Sequence, residues 1–541
     1  MKWHIIAAVL ACVLFLSSTM NGARHFSVAE RIGSLGTLGE ERKESSVGTS
    51  HVDGAGNFLL EKAEDLGQKA AVLRKKQNAK SLWAATKLFR ESSRLFAAGH
   101  FYDKAADSHL QIGEISLILS EFDKARKSFD EAFKIAQDLE LRCSALSGIA
   151  RTYATIGPYP LADESSRQAF SLCEHLTERA QAEALEARGE VLLSGGDYSA
   201  SADFLRRAQT LFVAVKDDNG EAQTLLMLAH ALFQGGERLP ALQAAGEALR
   251  LWLLADNRYG VARVRAALGI FAVLRGEFET AHCNYAIARP LFRDIGDRDD
   301  EASVLNGLGY VNRATGDWQK SVEYYQAARA VFAAVQDLPG EHDSISGMGE
   351  ALAVAKNYKR LLPLYRADLR LGRRANDPVV VASAFAHIAS AYEAESRFAQ
   401  AETFYHRSLK AYRAGDHIYG EIDTLIRMGH LQTSQGKYID AIASLERADA
   451  LNGKTGQIEE KAKIQYELAW VYRRLSRLED SRLAIEKTID IVENQRISIS
   501  RFDTRALYFA SVHRYYALYV QVLMLLHQRH PELGFSKKAF E

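Results

Sequence analysis

Apolar positions recur at i, i+3, i+4 and i+7 along most of the chain, the spacing of one face of a helix. "GEFETAHCNYAIARPLF" from Gly276 and "GDWQKSVEYYQAARAVF" from Gly316 share one apolar skeleton forty residues apart, while their polar residues are unrelated. A small residue recurs at Ala85, Ala125, Ala162, Ser201, Ala241, Ala281, Ser321, Ala401, Ala441 and Ser481, with Leu361 in the one irregular place. The steps are forty residues, except 37 after Ala125 and 39 after Ala162. Twelve residues before most of these stands a second small residue, as at Gly113, Ala150, Gly189, Gly269, Gly309 and Gly429. Turn sequences such as "SGGD" at 194–197, "TGD" at 315–317 and "SQGK" at 434–437 divide the unit in two. The pattern predicts pairs of helices that cross at the small residues, where axes approach closely only if side chains there are small. Bulky residues such as Phe129, Tyr285, Tyr325, Tyr365 and Tyr405 are expected to wedge against the next unit. One pair cannot bury its apolar face alone, so the stacking interface is what must repeat. Residues 58–492 are therefore predicted to form an all-α solenoid of ten to eleven units. The unit with Leu361 and Asp368, which lacks both small residues, is expected to pack more loosely. The segment Phe58 to Lys80 is read as a helix capping the array.

Composition fits this reading and narrows the partners. The chain has 541 residues, too many for one ordinary core, only 8 Pro, and 47% apolar residues. Lys plus Arg and Asp plus Glu both number 68, so no net field favours nucleic acid or an acidic membrane surface. Residues 1–23, with Lys2 before an apolar run from Ile5 to Leu16, have the layout of a secretory signal peptide or short anchor. A lipoprotein box at "VLAC" and an N-terminal helix of a cytosolic protein stay open as alternatives. Residues 24–57, rich in Gly, Ser and charge, read as a flexible linker. The expected location is periplasmic or extracellular, with membrane contact only through an uncleaved N-terminal segment. Among four cysteines, Cys143 opens the first helix of its unit and Cys173 closes the second. Antiparallel helices bring those ends together, so export would allow a disulfide between them.

The series of small, bulky and aromatic positions, as in Gly269, Ala281, Tyr285 and Ala288, resembles the tetratricopeptide repeat (TPR) in its longer, forty-residue form. HEAT and armadillo arrays share the length but not this series. The resemblance covers about four-fifths of the chain and implies a right-handed superhelix with a concave face lined by the first helix of each pair. After Ile491 the rhythm stops, and a long helix is predicted from Arg501 to Gln528, with an aromatic face at Tyr508, Tyr515, Tyr516 and Tyr519. Residues 493–541 read as a helical cap. On Glu493, Arg496, Arg505, Phe509, Tyr516, Tyr519, Leu523, His527 and the closing "AFE", the segment also resembles the bridge joining a TPR array to a CHAT domain, a caspase-like peptidase domain of bacteria.

No H-E-x-x-H, G-x-S-x-G or phosphate-loop motif occurs, and His282 and Cys283, neighbours on a helix, point about 100° apart. The chain is therefore read as non-enzymatic, with neither metal nor small-molecule cofactor. What remains is the groove. TPR groove positions fall on Asn306, Tyr310 and Arg313 in one unit, and on Arg263, Ser346, Glu350, Ser383, Ser390, Glu393 and His430 in others. The resemblance implies that these contact a peptide or protein segment, Asn306 through an amide that both donates and accepts. A solvated polar helix face is the competing account of the same residues. The expected function is a protein-interaction scaffold, the recognition arm of a CHAT-type protein. A peptide-sensing TPR regulator that switches a partner, and an enzyme subunit acting in trans, are the alternatives.

Overall fold

The computed structural model describes residues 54–497 and 502–540. The signal-like segment and the linker up to residue 53 lie outside the described residues. Every regular element among the described residues is a helix. The first six pairs are α1 (Gly54–Arg74) with α2 (Ala79–Ala98), α3 (Tyr102–Ile118) with α4 (Phe122–Ile135), α5 (Leu139–Ile156) with α6 (Tyr159–Cys173), α7 (Glu178–Ser194) with α8 (Tyr198–Ala214), α9 (Asp218–Gln234) with α10 (Arg238–Leu254), and α11 (Arg258–Leu274) with α12 (Phe278–Ile295). Five more follow: α13 (Arg298–Ala314) with α14 (Trp318–Val335), α15 (Leu338–Val354) with α16 (Leu361–Ala375), α17 (Pro378–Ala394) with α18 (Phe398–Ala414), α19 (Ile418–Ser434) with α20 (Tyr438–Thr455), and α21 (Ile458–Arg474) with α22 (Leu478–Ile497). The chain then forms α23 (Phe502–Arg529) and the short α24 (Phe535–Phe540). The fold is an all-α solenoid of helix pairs.

The forty-residue period is two equal halves. Residues with left-handed backbone fall every twenty positions from Gly196 through Lys216, Gly236 and Asp256 to Ser476. Each ends a helix in the same way. After α7, Gly196 donates its N–H to the Leu193 carbonyl (3.1 Å) and Asp197 to that of Leu192 (3.0 Å). This double closure satisfies the last carbonyls of a helix and needs a positive φ, which glycine adopts without a Cβ clash. Turn chemistry in the sequence marks the breaks at Gly196, Gly316 and Gly436 but gives no sign of those where Lys216, Asp256 or Gln336 takes the same conformation.

Packing follows the predicted register. Ala85, Ala125, Ala162, Ala241, Ala281, Ala401 and Ala441 are all 0% exposed, as are Ser201, Ser321 and Ser481. Two of the serines show why the second small residue stands twelve positions earlier. Ser201 Oγ donates to the Gly189 carbonyl and Ser481 Oγ to that of Ala469, each at 2.7 Å, across the helix crossing. The wedge is equally direct. A Cβ on Gly113 or on Gly148 would lie 2.5 or 2.6 Å from the Phe129 ring, which therefore fills space left by its own pair and by the next. Tyr325 does the same between Gly309 and Gly347.

Two expectations need correction. The segment Phe58 to Lys80 is not one helix: α1 ends at Arg74, and Asn78 starts α2 by accepting from Ser81 N, in a reciprocal capping box. Nor is the irregular unit loose at the positions that depart. Its second helix is entered through a 3-10 turn at Tyr358–Arg360, Leu361 is 3% exposed, and Asp368 is fully buried. Elsewhere a residue in the place of Asp368 faces one 26 positions earlier: Ser408 Oγ donates to the Ala382 carbonyl at 2.8 Å. Here the carboxylate meets His342 instead, at 2.8 Å.

The described residues form two compact units, one of residues 54–272 with 279–304, the other of 273–278 with 305–540. Within the first, the array returns to its start. Gln77 Nε2 donates to Asn257 Oδ1 (3.1 Å), Tyr259 N–H to Gln77 Oε1 (3.0 Å), and Ser120 Oγ to Asp297 Oδ1 (2.7 Å). Ile295 is fully buried in one apolar cluster with Leu82, Ile115 and Leu119. The first pairs thus pack on the sixth, which nearest-neighbour stacking alone does not supply. The predicted disulfide lies in this unit: Cys143 and Cys173 are bonded, their Cα atoms 5.9 Å apart. In the second unit α23 caps the last pair. Tyr519 OH donates to Glu486 (2.9 Å), Tyr516 bonds Glu493, and Leu518, Val522, Leu523 and Leu526 are buried.

Candidate functional site

First helices carry their polar residues in rows that join one pair to the next. In the second unit Ser344 Oγ donates to Asn306 Oδ1 at 2.9 Å, and Arg313 pairs with Glu350. The Arg313 guanidinium lies 5.2 Å from the Tyr310 ring centroid. Farther along, Tyr405 OH donates to Glu393 (3.0 Å) and shares a hydrogen bond with Ser390 (3.2 Å), and His430 meets Glu467 at 3.3 Å. The Glu467 hydrogen bond raises the His430 pKa.

The sequence-derived groove residues therefore divide. Tyr310, Arg313 and Glu350 come together, and Ser390 and Glu393 meet through Tyr405. Asn306 is 8% exposed and its oxygen is taken by Ser344, leaving the amide nitrogen to donate. Ser383 bonds Tyr412, and the buried Ser346 hydroxyl makes no hydrogen bond. His430 stands apart with Glu467. Arg263 belongs to the other unit, where it bonds Gln223 and lies 5.6 Å from the Tyr259 ring centroid.

Sequence reasoning missed a buried cluster in the irregular unit. The Asp368 carboxylate lies between two imidazoles, 2.8 Å from His342 Nδ1 and 4.0 Å from His387 Nδ1. Burial alone would lower the His342 pKa, but the charge and hydrogen bond of Asp368 outweigh it and raise it to about 9. Burial lowers His387 to about 4 and pushes Asp343 up to about 7. The signal was visible, because Asp368 breaks the small-residue series; its partner 26 residues upstream was not.

The first unit surrounds a cavity of about 1200 Å³ that is open to solvent and walled mainly by α1, α3, α5, α7, α9 and α11. Its rows also link residues one repeat apart: Arg74 to Gln111, Arg151 to Glu114 at 3.2 Å, Ser144 to Glu183 at 2.6 Å, and Thr224 to Glu186 at 3.3 Å. Burial pushes the Glu186 carboxyl up to about 8, against the pull of Arg151. Burial also raises Asp107, Asp297, Asp300 and the Tyr259 hydroxyl, and lowers His230 to about 4. Of the groove residues named from sequence, only Arg263 lines this cavity. The others were missed because closure of the array depends on contacts 180 residues apart, which no local pattern encodes. The free Cys283 and its neighbour His282 are both exposed on α12. Among the described residues, no cluster of His, Cys, Asp and Glu has metal-binding geometry, and no helix is long and apolar enough to cross a membrane.

No family model matches the chain, and no curated protein matches it. Solved structures do resemble it. The apo form of RapI is 12% identical with a TM-score of 0.47, over 64% of this chain and 98% of that one. The apo quorum sensor NprR from B. thuringiensis is 15% identical with a TM-score of 0.45, over 72% and 99%. Yeast Tom70 is 14% identical with a TM-score of 0.43, over 89% and 99%.

Proposed function

We propose that the chain is a non-enzymatic protein-interaction scaffold that holds a peptide or protein segment against the first helices of its pairs. One observation carries this reading: six first helices wall a cavity of about 1200 Å³ and turn charged side chains into it. Small-molecule pockets occupy roughly 300–1,000 Å³. A space beyond that range, lined by hydrogen-bonding side chains at repeat spacing, suits an extended chain with its own regular donors and acceptors. In the second unit the Asn306 amide nitrogen and the half-exposed Glu350 side chain offer the same kind of contact.

The finer reading is an exported recognition arm of a CHAT-type protein. Export is supported by the Cys143–Cys173 disulfide, since such bonds persist in oxidising compartments. The CHAT relationship is supported by the resemblance of residues 493–541, where Tyr516 and Tyr519 tie α23 to Glu493 and Glu486. Selection of binders from a random-peptide display library on the purified chain tests the scaffold. Binders that lose affinity on Arg313→Ala or Glu186→Gln are expected; a chain that enriches no sequence refutes it. Fractionation tests export, and a caspase-like fold encoded beside the same locus tests the CHAT assignment.

A further inference from the structure

The cavity of the first unit is charged in one sense. Its wall holds ten Asp and Glu side chains against five Lys and Arg. Four of the five cations are already engaged, and the fifth, Lys75, is exposed. Arg151 lies 3.2 Å from Glu114 and 3.4 Å from Glu190, and Arg179 is 3.1 Å from Asp217. Arg74 and Arg263 donate to the neutral amides of Gln111 and Gln223. By contrast, Asp107, Glu186, Asp297 and Asp300 have no Lys, Arg or His within 4 Å among the described residues. Their partners are uncharged or acidic: Glu186 rests on Thr224 (3.3 Å), Asp297 on Ser120 (2.7 Å), Asp107 on Gln111, and Asp300 on Asp297. Glu186 is 6% exposed and Asp297 1%, so water does little to stabilise their ionised forms, which a cation brought into the wall would favour. Holding buried carboxyls without cations is unfavourable, which agrees with their raised pKa values. A separate observation points to a missing ligand. Ser147 lines the cavity on the face of α5 that carries Ser144 and Arg151, is 4% exposed, and its hydroxyl makes no hydrogen bond.

Resting on the scaffold reading above, we infer that this cavity takes a basic peptide segment, whose Arg or Lys side chains sit against Asp107, Glu186, Asp297 and Asp300, carboxyls of the wall with no cation within 4 Å among the described residues. Arg151, set among Glu114, Glu190 and Glu186, is the chain's own example of a guanidinium in this wall. The peptide backbone accounts for the rest of the space and for the Ser147 hydroxyl. A free polyamine would satisfy the charges but leave both unfilled.

The test is fluorescence anisotropy on the full chain with a labelled peptide of about eight residues alternating Arg and Ser. Counterparts carry Gln or Glu in place of Arg, and spermine serves as competitor. The Arg peptide is expected to bind at least about tenfold more tightly than the Gln peptide and to weaken with salt. Glu186→Gln and, separately, Asp107→Asn should each weaken it about tenfold, with unchanged helicity by circular dichroism. Equal binding of the Gln or Glu peptide, or unchanged affinity in both variants, overturns the inference and leaves the scaffold reading standing. Spermine binding as tightly as the peptide overturns the peptide assignment. Failure to bind any of these peptides, together with an empty display selection, overturns both.

Discussion

Tyr325 occupies space that exists only because residues 309 and 347 are glycine, and Ala281 sits at a crossing with no exposed surface. Such positions were legible in the sequence because sterics leave few choices there. Ala281→Trp should force the crossing apart and cost about 1–3 kcal/mol or more, whereas Ala367→Trp, at a half-buried place off the crossing, should cost less. Equal shifts in denaturation midpoint at the two sites would contradict the register. Of the His342–Asp368 pair only Asp368 was legible, as a break in the small-residue series; His342, 26 residues upstream, gave no local sign of the contact. The His342 pKa is raised above its unfolded value near 6.5, so the protonated imidazole stabilises the folded state fully below that pH. This contribution is lost as pH rises through about 9. His387 runs the other way: its pKa is lowered to about 4, so its contribution holds above 6.5 and is lost as pH falls through about 4. Replacing Asp368 by Asn should flatten the loss of stability between pH 6.5 and 9, measured by urea unfolding at several pH values. A wild-type profile parallel to the variant's would exclude the pair.

At the scale of the helix and its turn, one rule recurs: a residue with positive φ every twenty positions. Glycine meets it at Gly196, Gly236, Gly276, Gly316 and Gly436, and turn chemistry made the breaks at Gly196, Gly316 and Gly436 readable. Lys216, Lys356 and Ser396 meet it at a steric cost, so the sequence there gives no sign of the turn. Ser396→Gly should therefore stabilise the array by about 0.5–1 kcal/mol, after the added freedom of the unfolded chain is subtracted. Gly316→Ala should destabilise it by about 1–2 kcal/mol. Midpoints that move in the opposite directions would mean that these turns do not close as described. The Cys143–Cys173 bond belongs to the same scale, since it joins the start of one helix to the end of its partner. Thiol titration of the unfolded, unreduced chain should find Cys143 and Cys173 blocked and Cys283 free.

Across the molecule each pair stacks on the next, and in the first unit α2 and α3 also pack on α12. Ile295→Ala should cost about 2–5 kcal/mol and also release hydrogen-exchange protection in α2, some two hundred residues upstream. Loss confined to α11, α12 and α13 would show that the array does not close. Closure creates the cavity, and it was illegible because Gln77 and Asn257 share no local pattern. The central claim is that the inner rows, not the outer faces, hold a partner segment. Its most direct test is photo-cross-linking of a peptide selected by the full chain, with the cross-linker placed in turn along the first and second helices. Cross-links should appear from positions beside Glu186, Arg263 and Glu350 and be absent from exposed second-helix positions such as Leu239 and Ile439. Cross-links from the second helices alone, with none from the inner rows, would contradict the account.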